Sequence, residues 1–167
     1  MALALVAGAC GGGGGGNATG TTQGGSGAAP KEAVFKLGIS EPDSIDPYNI
    51  HESEGGLVAK QLFEGIATVE DGKVVPHGSA KWEKDAACEN WTFTIPDSTF
   101  SNGDKVKAED YVRGFNRVVN PDAGSDVASF MEDIDGYAAV KETKKLSGVT
   151  AKDDKTLVVK MAAGKGD

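Results

Sequence analysis

Residue types that carry chemistry are scarce in this 167-residue chain, which has two cysteines, two histidines and three methionines. Cys10 and Cys88 show neither a CxxC pair nor a Cys/His ligand spacing, so the common zinc motifs are missing. Neither His51 nor His77 has a plausible nucleophile close in sequence, and there is no GxSxG or Walker A pattern. Gly164-Lys165-Gly166 lacks both the upstream glycine and the Ser or Thr that a phosphate loop needs. Glu132, Asp133 and Asp135 lack calcium-loop spacing. No catalytic residue, metal site or cofactor is therefore expected. No apolar run approaches the roughly 20 residues that span a bilayer. Basic residues are in the minority, 17 against 25 acidic, for a net charge of −8 with no Lys/Arg stripe. That balance argues against a nucleic-acid partner, because phosphate contacts need clustered cations.

Glycine, by contrast, is abundant, but ten of the 24 fall between Gly11 and Gly27. Residues 11–31 hold no aliphatic side chain larger than alanine and are expected to form a flexible tether, reaching on the order of 25 Å. Ahead of it, the apolar run Leu3 to Ala9 ends in Ala7-Gly8-Ala9-Cys10. This resembles the end of a bacterial lipoprotein signal peptide, where small residues precede a cysteine that becomes the acylated first residue. Ala7 stands where a branched residue is usual, and no Lys or Arg precedes the apolar run. The resemblance makes residues 1–10 a partial signal peptide and Cys10 a lipidation site, holding the protein to membrane lipid on the extracytoplasmic face. The other readings are a plain cysteine in a disordered tail and, for the glycines, an expression linker. With Cys10 acylated, Cys88 is a lone thiol.

Residues 32–167 read as an α/β unit. Val34, Leu37 and Ile39 suggest a strand over 33–39, followed by a loop punctuated by Pro42 and Pro47. The apolar spacing of Leu57, Val58, Leu62 and Ile66 predicts a helix over 56–68, and Asp71-Gly72 predicts a hairpin turn. Ser79 to Lys84 is expected to pair with Trp91 to Ile95, where Trp91, Phe93 and Ile95 alternate with threonines. From Ala108 the period becomes 3.6, placing Ala108, Tyr111, Val112, Phe115, Val118 and Val119 on one stripe of a helix over 108–119 that Asn120-Pro121 ends. A further helix is expected over 125–145, with Val127, Phe130, Met131 and Ile134 inside it.

Taken in order, "EPDSIDP", "LFEGIATVEDGKVVP", "AKWEKD", "WTFTIPDSTFSNGDKVKAEDYVRGFNRVVNP" and the hairpin "LSGVTAKDDKTLVVKM" resemble the N-terminal third of the extracytoplasmic oligopeptide- and dipeptide-binding proteins that serve ATP-driven importers. The resemblance runs from about Val34 to Met161. It implies the first-lobe portion of a two-lobed periplasmic-binding-protein fold (type II), with a mixed sheet and flanking helices. It further implies a monomer that captures a peptide or a similar small solute and delivers it to the permease subunits of an ABC importer. His51, Glu52 and Ser53 match the place where family members touch bound peptide, and Val127 falls near an aromatic pocket wall of the family. Lys107 replaces the family's Thr or Ser, which removes a helix N-cap at about 1 kcal/mol, while Glu109 and Asp110 in the first turn offset part of the loss. Pro96 stands where Arg or Lys is usual. Family members run to several hundred residues, so the chain is expected to be a fragment whose single lobe, an open face, binds peptide poorly or not at all. A lipid-anchored sensory module on the same scaffold is the alternative reading.

Overall fold

The structure, a computed structural model, describes residues 34–165. Cys10, the signal-peptide segment and the tether lie outside the described residues. Contacts divide the chain into Met1–Leu37 and Gly38–Asp167, and the architecture below is that of the second unit. The expected strand over 33–39 does not form among residues 34–39. Phe35 and Leu37 there are exposed, and an extended segment that makes no ladder bonds is marginal in water.

A four-stranded sheet organises the unit: β3 (Lys81–Lys84), β4 (Asn90–Thr94), β5 (Val149–Asp153) and β6 (Thr156–Lys160), in the order β3-β4-β6-β5. β1 (Ala67–Glu70) and β2 (Lys73–Pro76) form a separate hairpin. The mixed sheet expected from the resemblance does not extend to these strands, whose pairings are all antiparallel. Phe93 faces Trp82 on one side and Leu157 on the other, and Trp91 faces Val159. Cross-strand partners share a face, so these residues form one apolar surface. α2 (Ala108–Val119) covers it with the stripe read from the sequence: Ala108, Val112 and Val119 are buried, and Tyr111 and Phe115 pack beside them.

The start of α2 shows how the missing hydroxyl cap is replaced. Lysine's ammonium cannot accept a hydrogen bond. Instead the Asp110 carboxylate accepts from the Lys107 N–H at 2.7 Å, the reciprocal half of a capping box. The β5–β6 turn supplies the rest: the Asp154 carbonyl accepts from the Ala108 N–H at 2.9 Å, and the Asp154 carboxylate pairs with Lys107 Nζ at 2.9 Å. The same turn fixes the end of β4, since the Lys155 carbonyl accepts from the Ile95 N–H and Lys155 Nζ donates to the Pro96 carbonyl, both at 2.8 Å.

Two helix expectations need correction. α1 spans Ser53–Leu62, not 56–68, because the Glu52 carboxylate accepts from the Gly55 N–H and opens the helix early. Beyond Phe63 the β-branched Ile66, Thr68 and Val69 favour extension, and Ala67–Glu70 pairs with β2 across Asp71 and Gly72, both at positive φ (49° and 74°) as a tight hairpin turn requires. Residues 125–145 form no continuous helix. They make 3₁₀ turns at Ala128–Met131 and Tyr137–Ala139 and a single α turn, α3 (Val140–Thr143). Their backbone is drawn to the end of β6: the Asp135 N–H donates to the Lys160 carbonyl at 2.9 Å, Ile134 bridges Met161, and the Asp135 carbonyl accepts from the Gly148 N–H. Gly136, at φ 90°, makes the bend. No helix among the described residues is long and apolar enough to cross a membrane.

Candidate functional site

The loop before α1 and the segment after α2 meet at one corner of the unit. Asp46 starts a 3₁₀ turn, Pro47–Asn49, its carboxylate accepting from the Tyr48 N–H at 3.4 Å. From the last turn of α2, Arg117 reaches across and forms a two-pronged ion pair with Asp46, Nη1 to Oδ1 at 2.8 Å and Nη2 to Oδ2 at 2.7 Å. Its guanidinium carbon also lies 4.2 Å from the centroid of the Tyr48 ring. The next segment adds two bonds: Ser125 Oγ donates to the Tyr48 carbonyl, and the Asp126 N–H donates to Asn49 Oδ1, both at 2.6 Å. The Arg117 guanidinium beside Asp46 holds that carboxyl below its ordinary value, against the opposing effect of burial.

His51, Glu52 and Ser53 follow directly from this corner. His51 is exposed, with Nδ1 3.4 Å from the Asn49 carbonyl and Nε2 3.9 Å from Asp43 Oδ2. Both Glu52 oxygens sit on the Gly55 N–H, at 2.7 and 2.8 Å, and this bond foremost lowers the Glu52 pKa. Glu52 is thus occupied as the N-cap of α1. Ser53 opens that helix and, with Ile39, Ser40, Glu54 and Leu57, lines a shallow depression of about 320 Å³. Val127 is buried, at 7% exposure, whereas Phe130, three residues on, is 78% exposed. The bonds to the 125–130 segment thus fall on Tyr48 and Asn49, just ahead of the loop trio, and Phe130 is the exposed large apolar side chain of that segment. Sequence reasoning passed over Asp46, Tyr48, Asn49, Arg117 and Ser125. The only local hint was Asp46-Pro47, a capping residue followed by a turn starter.

A second concavity, of about 550 Å³, opens onto the sheet among Trp91, Phe93, Phe115, Val159 and Met161, with Cys88 at its rim. Cys88 is a free, half-buried cysteine whose carbonyl accepts from Trp91 Nε1 at 2.7 Å and whose Sγ lies 2.6 Å from Lys84 Nζ. Among the described residues no group of three or more His, Cys, Asp or Glu side chains could hold a metal ion.

The unit is thus an antiparallel sheet with a helix on one face and a loop braced by polar contacts to the last turn of that helix. Residues 73–166 match the family described as bacterial extracellular solute-binding proteins, family 5. The chain belongs to that family. It is 35% identical over 127 residues to the periplasmic oligopeptide-binding protein OppA of Haemophilus influenzae, covering 72% of this chain and 24% of that protein. It is 34% identical over 142 residues to OppA of Escherichia coli, covering 80% and 26%. The crystal structure of the Haemophilus protein in complex with the peptide RPPGFSPFR superposes with a TM-score of 0.67, over 72% of this chain and 25% of that one. The chain spans about a quarter of the length of the relatives it matches.

Proposed function

We propose that this chain forms part of an extracytoplasmic solute-binding protein that captures peptides for an ATP-driven importer, and that the corner at His51–Ser53 with the 125–130 segment is its share of the ligand wall. The observation that carries the reading is the 0.67 superposition on a peptide-bound relative at 35% identity. The physical setting fits the role. A carrier of varied peptides gains affinity from main-chain hydrogen bonds and from enclosure between lobes, leaving side chains in roomy, hydrated pockets. Here His51 and Ser53 are exposed, and Phe130 offers exposed apolar area on the 125–130 segment. Val127 is buried, so in this reading it supports the wall and does not touch ligand. A permease pair is the partner that such a carrier serves, and lobe closure is the signal it reads.

Amide chemical-shift mapping of the ¹⁵N-labelled chain with a mixture of short peptides tests the reading. Weak, millimolar binding is expected, with perturbations confined to residues 43–53 and 125–131. No perturbation at millimolar peptide, or one centred on Trp91 and Met161, would overturn it. The anchor at Cys10 is a separate part of the proposal, supported by the Ala7-Gly8-Ala9-Cys10 pattern. Expressed in a bacterium that processes lipoproteins, the chain should partition with membranes and its Cys10→Ala variant should not; equal partitioning of the two would remove the anchor.

A further inference from the structure

The loop half of this corner, residues 41–63, contributes no residue to the main core. The cluster of buried residues that unites the sheet and α2 contains no member before Ile95, and the partly buried residues packed on it begin at Ile66. Within α1 the buried positions are Gly55 and Ala59, both small. The polar contacts that join segment 41–63 to α2 and to residues 125–126 fall on Asp46, Tyr48 and Asn49.

We propose that Arg117 is a positioning residue for this corner: it latches the 46–49 turn onto the last turn of α2, and the order of the following residues, rather than the fold, depends on it. The proposal deepens the peptide-binding reading and rests on it only where ligand is concerned. Three observations support it. First, the guanidinium uses both prongs on Asp46 while its face lies on the Tyr48 ring, an arrangement open to the planar fork of arginine and closed to the point charge of lysine. Second, Asp46 passes the constraint inward, since its carboxylate takes the Tyr48 N–H and its carbonyl takes the Asn49 N–H at 3.1 Å. Third, three residues separate Asn49 from Ser53, so a shift at the latch cannot be absorbed before α1 begins. The Arg117 and Asp46 side chains are 53% and 43% exposed, so the pair hides little apolar surface and its loss should spare the sheet.

The test uses the full chain and reads amide hydrogen exchange by NMR, thermal unfolding and peptide-induced shifts in Arg117→Met, Arg117→Lys and Asp46→Asn. In Arg117→Met, protection at Asn49, Gly55 and Asp126 should fall about tenfold while β4 and β6 amides and the unfolding temperature hold. Arg117→Lys should recover only part of the protection. Asp46→Asn keeps an acceptor for the Tyr48 N–H but loses the charge, so it should loosen the corner as Arg117→Met does; a role limited to local capping would leave it silent. Unchanged protection in Arg117→Met, or an equal fall throughout the sheet, overturns the latch. Peptide shifts separate the two claims. If the parent chain shows none while the exchange pattern holds, the peptide reading fails and the latch stands. If Arg117→Met loosens the loop yet binds peptide as the parent does, the positioning role is overturned.

Discussion

Gly148 lies so close to Lys160 that a Cβ on it would sit 2.5 Å from the Lys160 carbonyl oxygen and 2.9 Å from the Asp135 Cβ. The contact is made by backbone on backbone, because the Lys160 N–H donates to the Gly148 carbonyl and the Gly148 N–H to the Asp135 carbonyl, both at 2.8 Å. This is where the 131–137 segment is sewn to the end of β6. Gly148→Ala must push that seam apart, and overpacking of this kind typically costs about 1–3 kcal/mol. Urea unfolding of the variant should show the loss. A variant as stable as the parent would mean that the seam yields freely.

The centre of the sheet gives a second expectation. Leu157 is fully buried, faces Phe93 and Ala151 across its two strand partners, and lies under α2. Leu157→Ala removes three carbons from a site walled on both sides by strands, where relaxation is limited, so a loss of about 2–5 kcal/mol is expected. The midpoint in urea should fall with little change in slope. A loss well below that range would show that α2 can settle into the cavity.

At the start of α2, Asp110 does the capping that the residue at 107 cannot. Its side chain is 16% exposed, accepts from the Lys107 N–H and pairs with Arg113. Asp110→Ala should cost about 1 kcal/mol, in the range of lost caps, and Asp110→Asn, which keeps an acceptor, should cost less. Equal losses in the two variants would assign the effect to charge rather than to the cap.

Much of this architecture is legible in the sequence where local signals and tertiary contacts agree. The stripe Ala108, Val112, Phe115 and Val119 predicts α2, and Asp71-Gly72 predicts its hairpin, because helix period and turn chemistry are local properties. Residues 125–145 mislead for the opposite reason. Val127, Met131 and Ile134 recur at helical spacing, yet their segment is bent at Gly136 and bonded to Lys160 and Asn49, partners remote in sequence. The candidate site divides the same way. Family resemblance points to His51, Glu52 and Ser53, whereas Arg117 and Asp46, 71 residues apart, are paired only by the fold, which sets α2 beside the loop. Arg117 on the polar face of a helix otherwise reads as one more solvated cation.

That pairing also sets a pH dependence. Arg117 lowers the Asp46 pKa in the folded chain, so the carboxylate is favoured there relative to the unfolded state. A depressed acidic group stabilises above its unfolded value, about 3.9 for aspartate, and the contribution disappears as pH falls through the lower folded value. Asp97, Asp85 and Asp153 are lowered too, by Lys155, by Asn90 and by the Lys155 N–H respectively, so global stability falls in the same acidic window and does not isolate the latch. The Asp46 carboxyl carbon does isolate it. Followed by ¹³C NMR, its titration midpoint should lie below that of a free aspartate and move upward in Arg117→Met, with the loop amides near Asn49 losing protection over the same pH interval. If the midpoint is the same in both proteins, the guanidinium is not what holds Asp46 ionised, and the corner must be fixed by its contacts to Ser125 and Asp126.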